Sequence, residues 1–182
     1  MNKSLYSIFN HWNEKGGIYL YSDPHFGDQD MKDGFGYPSD EEQVKLINKK
    51  IGKYDTLVIL GDIGDPVYVS ELRGNKVLIT GNHDLGACHY ENYFSEIYTG
   101  PLFIGPRLLL SHEKIDLQFA LNIHGHDHAG NNESINTLNV AANLIDFQPV
   151  ALNWIVKRGW LANIPTIHRL ATDTAIARKA SK

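Results

Sequence analysis

Lys76-Val77-Leu78-Ile79-Thr80-Gly81-Asn82-His83-Asp84 is a short apolar run that stops at a glycine and then presents three polar side chains. Val, Ile and Thr favour strands, so Lys76 to Thr80 reads as a buried strand bounded by a turn. The same arrangement recurs on both sides of it. Upstream, Thr56 to Leu60 runs into Gly61-Asp62, and Ile18 to Tyr21 runs into Ser22-Asp23-Pro24-His25. Downstream, Leu108 to Leu110 runs into Ser111-His112, and Phe119 to Ile123 runs into His124-Gly125-His126-Asp127-His128. Ligands of open α/β sheets gather beyond the carboxyl ends of strands. Clusters spread from Asp23 to His128 are therefore expected to meet in space.

The segments between these strands set the fold class. Leu5, Ile8, Phe9 and Trp12 recur at helical spacing, and Gly16-Gly17 closes that helix. Ser39 and Glu42 form a capping box ahead of a helix with Val44, Ile47 and Ile51 on one side. Asp28 to Asp40, rich in Gly and Asp, reads as a long loop: either plain surface or a flap beside a substrate. Ser134 to Val140 adds a strand, and Pro149 to Arg158 a short helix closed by Gly159. Helices alternating with strands predict βαβ units and a largely parallel sheet in the first half. The second half is richer in strand. Two mixed sheets flanked by helices, an α/β (α+β) sandwich, satisfy both halves.

The clusters agree in chemistry. Asp23, His25, Asp62, Asn82, His112, His126 and His128 offer oxygen or imidazole donors and no thiolate. Such a set suits Mn²⁺, Fe²⁺, Zn²⁺ or Ni²⁺. Seven donors exceed what one ion needs if it is to keep a place for substrate. Two ions sharing one carboxylate would leave positions open.

Taken in order, Asp23-x-His25, Gly61-Asp62-x-x-Asp65, Gly81-Asn82-His83-Asp84, His112 and Gly125-His126-x-His128 resemble the signature of the calcineurin-like metallophosphoesterases. The likeness is greatest to the small single-domain bacterial and phage members, and Asn139 to Val150 resembles their C-terminal ending. A stray Gly-Asn-His-Asp would occur in roughly one in two hundred shuffled versions of this chain. The resemblance implies a four-layer α/β/β/α sandwich holding two divalent ions. One ion would be held by Asp23, His25, Asp62 and His128, the other by Asp62, Asn82, His112 and His126, with Asp62 as the bridge. It implies hydrolysis of a phosphate ester by a hydroxide shared between the ions, His83 assisting the leaving oxygen and Asp84 orienting the His83 imidazole. Pro66-Val67 after Asp65 departs from the Asp-Arg-Gly of the protein phosphatases in this superfamily. No long insertion forms a duplex-DNA platform, and no apolar lid serves a lipid substrate. A phosphomonoester, a cyclic nucleotide or another small phosphodiester remains.

Two other readings use the same residues. One is a catalytically idle scaffold, a class in which the catalytic His is missing, whereas His83 is present here. The other is a metal-dependent nuclease. The chain carries 17 Lys and Arg against 21 Asp and Glu, net −4. Residues 157–182 hold six basic residues and one acid, +5, so the first 156 carry −9. That body lacks the basic face of a nucleic-acid binder, and the basic tail, from about 160, reads as a solvated segment. One domain over 1–182 is expected from the length. A single cysteine, Cys88, excludes an intrachain disulfide. With no apolar leader or membrane span in the sequence, a cytoplasmic protein acting on a small phosphorylated substrate is expected. Among the remaining polar residues, Asp65 reads equally as a helix cap before Pro66 or a partner of the site. His124 reads as hydrogen-bonded core, and Cys88 and His89 as surface or site mouth. Trp12, Trp154 and Trp160 read as packing residues.

Overall fold

The computed structural model describes residues 7–130 and 134–181. The first sheet contains β1 (Ile18–Tyr21), β2 (Thr56–Ile59), β3 (Asn75–Ile79), β4 (Glu96–Tyr98) and β9 (Val150–Ala151). Its order is β4-β3-β2-β1-β9, parallel throughout except for β9, with Leu20, Val58, Val77 and Glu96 in register. The second contains β5 (Leu102–Gly105), β6 (Leu108–Leu110), β7 (Leu121–His124) and β8 (Thr137–Asn139), in that order. There β5 is antiparallel to β6, and β6, β7 and β8 are parallel.

The central strands of the first sheet, β2 and the carboxyl halves of β1 and β3, are buried on both faces, which is why they read as apolar runs. Along β2 and just beyond it, Leu57 and Ile59 face one cluster with Tyr21, Leu78 and Ile47. Val58 and Leu60 face another, with Leu20, Val77 and Ile79. That second cluster also takes in Leu110, Leu121, Ile123 and Leu138, so the two sheets share a core. Helix α2 (Asp40–Lys50) covers the outer face of the first sheet through Val44 and Ile47, and Ser39 caps it by accepting from the Glu42 amide. Trp12 and Ile155 of α3 (Leu152–Lys157) close the shared core. The fold is thus mixed α/β, with two mixed sheets flanked by helices.

The structure revises several expectations. The Asp28–Asp40 segment is not an open loop but carries α1 (Gln29–Phe35). Asp28 caps it through the Asp30 and Met31 amides, and Gly36 ends it with φ +69°. Its composition hid it, because Asp and Gly are poor interior helix formers yet good caps. The N-terminal segment is a 3-10 helix, Ser7–Asn13, and Leu5 lies outside the described residues. Pro149 to Arg158 begins with β9 before turning into α3. The basic tail forms α4 (Ile167–Ala180), capped by Thr166, with no buried residue. No helix among the described residues is long and apolar enough to cross a membrane.

Candidate metal centre

The carboxyl ends of β1, β2, β3, β6 and β7 lie together because the turns that follow them are hydrogen-bonded to one another. The Asp23 amide donates to Gly61 O (3.1 Å), and the His25 amide to Asp62 O (3.0 Å). Gly125 N donates to His112 O (2.9 Å), and Ser22 N to Val140 O (3.1 Å). These bonds join the two sheets where the polar clusters emerge.

Two groups of side chains converge there. Asp23, His25 and His128 each offer a ligand atom within 4.8 Å of the others, as do Asp62, His112 and His126. Asp62 Oδ2 stands between the groups, 3.7 Å from His25 Nε2 and 3.3 Å from His112 Nε2. Asn82 Oδ1 lies 2.7 Å from His112 Nε2, so the second group includes it. All seven donor residues named from the sequence are therefore in one place.

The ring orientations follow from their outer nitrogens. His112 Nδ1 is 2.8 Å from Leu60 O and must donate to that carbonyl. Its Nε2 then carries a lone pair in the neutral ring, facing Asn82 Oδ1, Asp62 Oδ2 and, at 3.1 Å, His126 Nδ1. Acceptors converging on a lone pair call for a cation between them. Burial lowers the His112 pKa, but the hydrogen bond its ring donates to Asp62 and the charges of Asp23 and Asp62 outweigh it and push it up to about 9. His128 Nδ1 faces Asn143 Oδ1 (3.2 Å), which leaves Nε2 toward Asp23 Oδ1 (3.8 Å). Outer-nitrogen bonds of this kind are the usual companions of metal-ligating histidines.

Two atoms of the first group are buried without a partner, Asp23 Oδ1 and His25 Nε2. Unsatisfied buried polar atoms are rare and demand an explanation. A divalent ion between them supplies one. Burial holds the Asp23 carboxyl above its ordinary value despite the Ser22 bond and neighbouring imidazoles, and burial also lowers His25. Asp62 is lowered: burial opposes ionisation, but the hydrogen bond and charge of His112 win. The two donor groups, and the orphaned atoms of the first, have the chemistry of sites that could hold metal ions.

The backbone is strained at the same residues. Asp23, His25, Asp62 and His126 have φ of +57°, +45°, +56° and +69°, all left-handed. That conformation costs a residue with a Cβ on the order of 1–2 kcal/mol, and such outliers concentrate at functional sites. Gly125 is required between His124 and His126, since a Cβ there would overlap Ser22 Oγ and Asp23 Oδ2.

The role expected for Asp84 is corrected. Its carboxylate accepts from Gly81 N (2.7 Å), Ile63 N (2.9 Å), Asp62 N (3.0 Å) and Tyr90 Oη (3.1 Å). With all its bonds spent on these donors, it anchors the turn that carries Asp62 and does not orient the His83 ring. His83 is exposed, its amide bonded to Asp62 Oδ1 (3.0 Å) and its ring 5.9 Å from that of His25. Asp65 caps the 3-10 helix Pro66–Glu71 by accepting from Val67 N, the first of the two roles its place before Pro66 allowed. His124 is buried outside both donor groups, with Nδ1 2.9 Å from Gly125 O. Cys88 and His89 are exposed on a 3-10 turn and line neither cavity beside the site. Trp12 is core, whereas Trp154 is exposed with Arg158 over its ring.

Sequence reasoning missed Tyr37 and Asn143. Tyr37 Oη donates to Asp23 O (2.8 Å), and Asn143 Nδ2 donates to His128 O (2.8 Å) while its Oδ1 meets the ring. Asn143 lies within the Asn139 to Val150 segment, but no spacing rule ties it to His128.

No protein-family model matches this chain. It is 29% identical over 166 residues to the uncharacterized protein MJ1445 of Methanocaldococcus jannaschii, covering 77% of this chain and 89% of that one. A solved structure, the protein of unknown function AQ665 from Aquifex aeolicus, is similar with a TM-score of 0.64 and 24% identity. That likeness covers 78% of this chain and 98% of the other, and it speaks for the fold alone.

Proposed function

We propose that the chain is a metal-dependent phosphoesterase of the calcineurin-like kind. Its two sheets and flanking helices would be the four layers of an α/β/β/α sandwich. The observation that carries this reading is Asp62 Oδ2, which lies within 3.7 Å of ligand nitrogens from both donor groups. A carboxylate in that position can serve two ions at once. Asp23, His25, Asp62 and His128 would hold one, and Asp62, Asn82, His112 and His126 the other. Held by these residues, two ions would supply Lewis acidity, lowering the pKa of a bound water and neutralising phosphoryl charge.

The protein's own part is to orient and to move protons. Leu60 O and Asn143 fix which nitrogens of His112 and His128 face inward. Asp84 fixes the Asp62 turn through backbone amides. His83, tied by its amide to Asp62 and exposed on the open side, is placed to deliver a proton to the leaving oxygen. Acid–base help of that kind is worth about 10²–10⁴ in rate.

Protein loaded with Mn²⁺ or Zn²⁺ is expected to hydrolyse aryl phosphomonoesters, aryl phosphodiesters or cyclic nucleotides. His83→Ala is expected to keep its metal and lose most turnover of alkyl esters, but much less with a nitrophenolate leaving group. Two bound ions with no turnover of any of these esters would make the chain a scaffold on the same fold. Loss of metal in His83→Ala would make it a ligand.

A further inference from the structure

The proposed chemistry uses the metal-binding residues and His83, and it leaves a cavity beside them without a task. This cavity, about 430 Å³, is lined by Phe35, Lys114, His126, Asp127 and His128 with two small residues. We propose that it is a base-binding subsite and that the substrate is a nucleoside phosphate, the base lying on Phe35 and Lys114 reaching a phosphate oxygen. This inference rests on the phosphoesterase reading for the position of the phosphate, but not for the base.

Phe35 is 43% exposed and its ring centroid is 5.2 Å from that of His128. It is held there by a built element. Asp28 caps α1, Met31 is buried beneath it, Lys32 pairs with Asp40 at 2.8 Å and Gly36 terminates it. An aromatic face fixed at the rim of a phosphate site is available to stack on any base. Lys114 follows His112 by two residues, is exposed, and makes no hydrogen bond or ion pair among the described residues. An uncommitted ammonium at this rim attracts a phosphate oxygen that the ions do not hold. Asp127, on the same wall, directs Oδ1 to the Ala129 and Gly130 amides. The cavity on the other flank, about 280 Å³ beside Asn82 and His112, is lined by the acid Glu113 and by no Lys, Arg or aromatic ring other than His112.

The test separates base from phosphate and from metal. Saturation-transfer NMR with adenosine, and with ribose as control, is run on chelator-treated protein. Transfer to the base protons is expected in the unsubstituted chain, with no comparable signal for ribose. Phe35→Ala should abolish it, and Lys114→Gln should leave it unchanged. In Zn²⁺-loaded protein, adenosine 5′-monophosphate is expected to bind roughly 5- to 100-fold more tightly than ribose 5-phosphate, a ratio set by one base stack and lost in Phe35→Ala. Lys114→Gln should weaken both phosphates several-fold and leave adenosine alone. Absence of transfer to the base protons, or transfer that survives Phe35→Ala, would overturn the subsite. Metal content is measured on the same samples. A protein that binds no metal yet stacks adenosine on Phe35 would refute the two-ion reading and leave the base subsite standing.

Discussion

Replacing Asp84 by Asn tests whether this carboxylate acts on the backbone or on His83. Oδ2 accepts from Gly81 N and Asp62 N, and Oδ1 from Ile63 N and Tyr90 Oη. An amide keeps only one oxygen. Its best orientation leaves that oxygen on the Gly81 and Asp62 amides and turns its NH₂ toward Ile63 N and Tyr90 Oη. The hydroxyl can reverse and accept, but the Ile63 amide cannot. One buried donor without a partner costs about 1–3 kcal/mol. The two surviving bonds fall from charge-assisted to neutral strength, a further loss of about 0.5 kcal/mol or more each. The sum is about 2–4 kcal/mol, which for a chain of this length lowers Tm by roughly 5–15 °C. Urea unfolding in the presence of a chelator isolates this effect from metal binding, and the midpoint should fall at constant m. A change below about 0.5 kcal/mol, within the range of an ordinary surface substitution, would refute the anchoring argument. Loss of turnover with unchanged stability would restore Asp84 as the orienter of His83.

Other perturbations follow from the same geometry. If Asp62 bridges two ions as proposed, Asp62→Asn should weaken the binding of both together, read by metal analysis; retention of two equivalents would show that another residue is the bridge. Gly125→Ala forces a Cβ onto Ser22 and Asp23 and should cost about 1–3 kcal/mol together with metal affinity in the first group. Calorimetry with and without chelator would fail to support this if the two proteins matched. Ions at a hundredfold excess over their Kd should raise stability by about 2.7 kcal/mol for each site filled, seen as a higher Tm than in chelator. Away from the site, burial raises Glu96, but bonds from Tyr98, His11 and Trp12 outweigh it and hold its carboxyl below 4.5. Its contribution to stability is complete above about 4.5 and is lost as pH falls through the lower folded value. Glu96→Gln should therefore flatten the acid limb of the stability curve, and an unchanged limb would assign that slope to other carboxylates.

The parts of the fold that were legible in the sequence are those where one physical signal dominates. Thr56 to Leu60 and Lys76 to Thr80 are apolar runs ended by Gly, and β2 and β3 occupy them to within a residue. Ser39 capped its helix as its spacing with Glu42 suggested. α1 was not legible because its stability comes from tertiary anchors: Met31 in the core and Lys32 on Asp40. β4 is three half-buried residues whose place depends on β3 beside it. At the site, residue types and turn spacing named the seven donor residues that the structure brings together. They could not assign Asp84, because an acid one residue from a histidine looks like its partner until the amides of Asp62, Ile63 and Gly81 are seen to claim it. Tyr37 and Asn143 were silent for the same reason.

The strain at this centre explains why so much of the chain is committed to holding it. Four donor residues sit at positive φ, and two carboxylates lie buried among imidazoles. Each of these features opposes folding when taken alone. The opposing bonds are the ones that join the turns: Asp84 to three amides, the His126 amide to Asp23 Oδ2 at 2.9 Å, and the His83 amide to Asp62 Oδ1. All of them use backbone N–H groups, which do not compete for the inward-facing lone pairs. Asp23 Oδ1, Asp62 Oδ2 and the inner imidazole nitrogens are left directed at common points. A turn held only by side chains would consume those same atoms. Backbone anchoring is thus what lets the chain keep Asp23 and Asp62 buried while one oxygen of each stays available to the neighbouring donors, the condition a metal site must meet before an ion arrives.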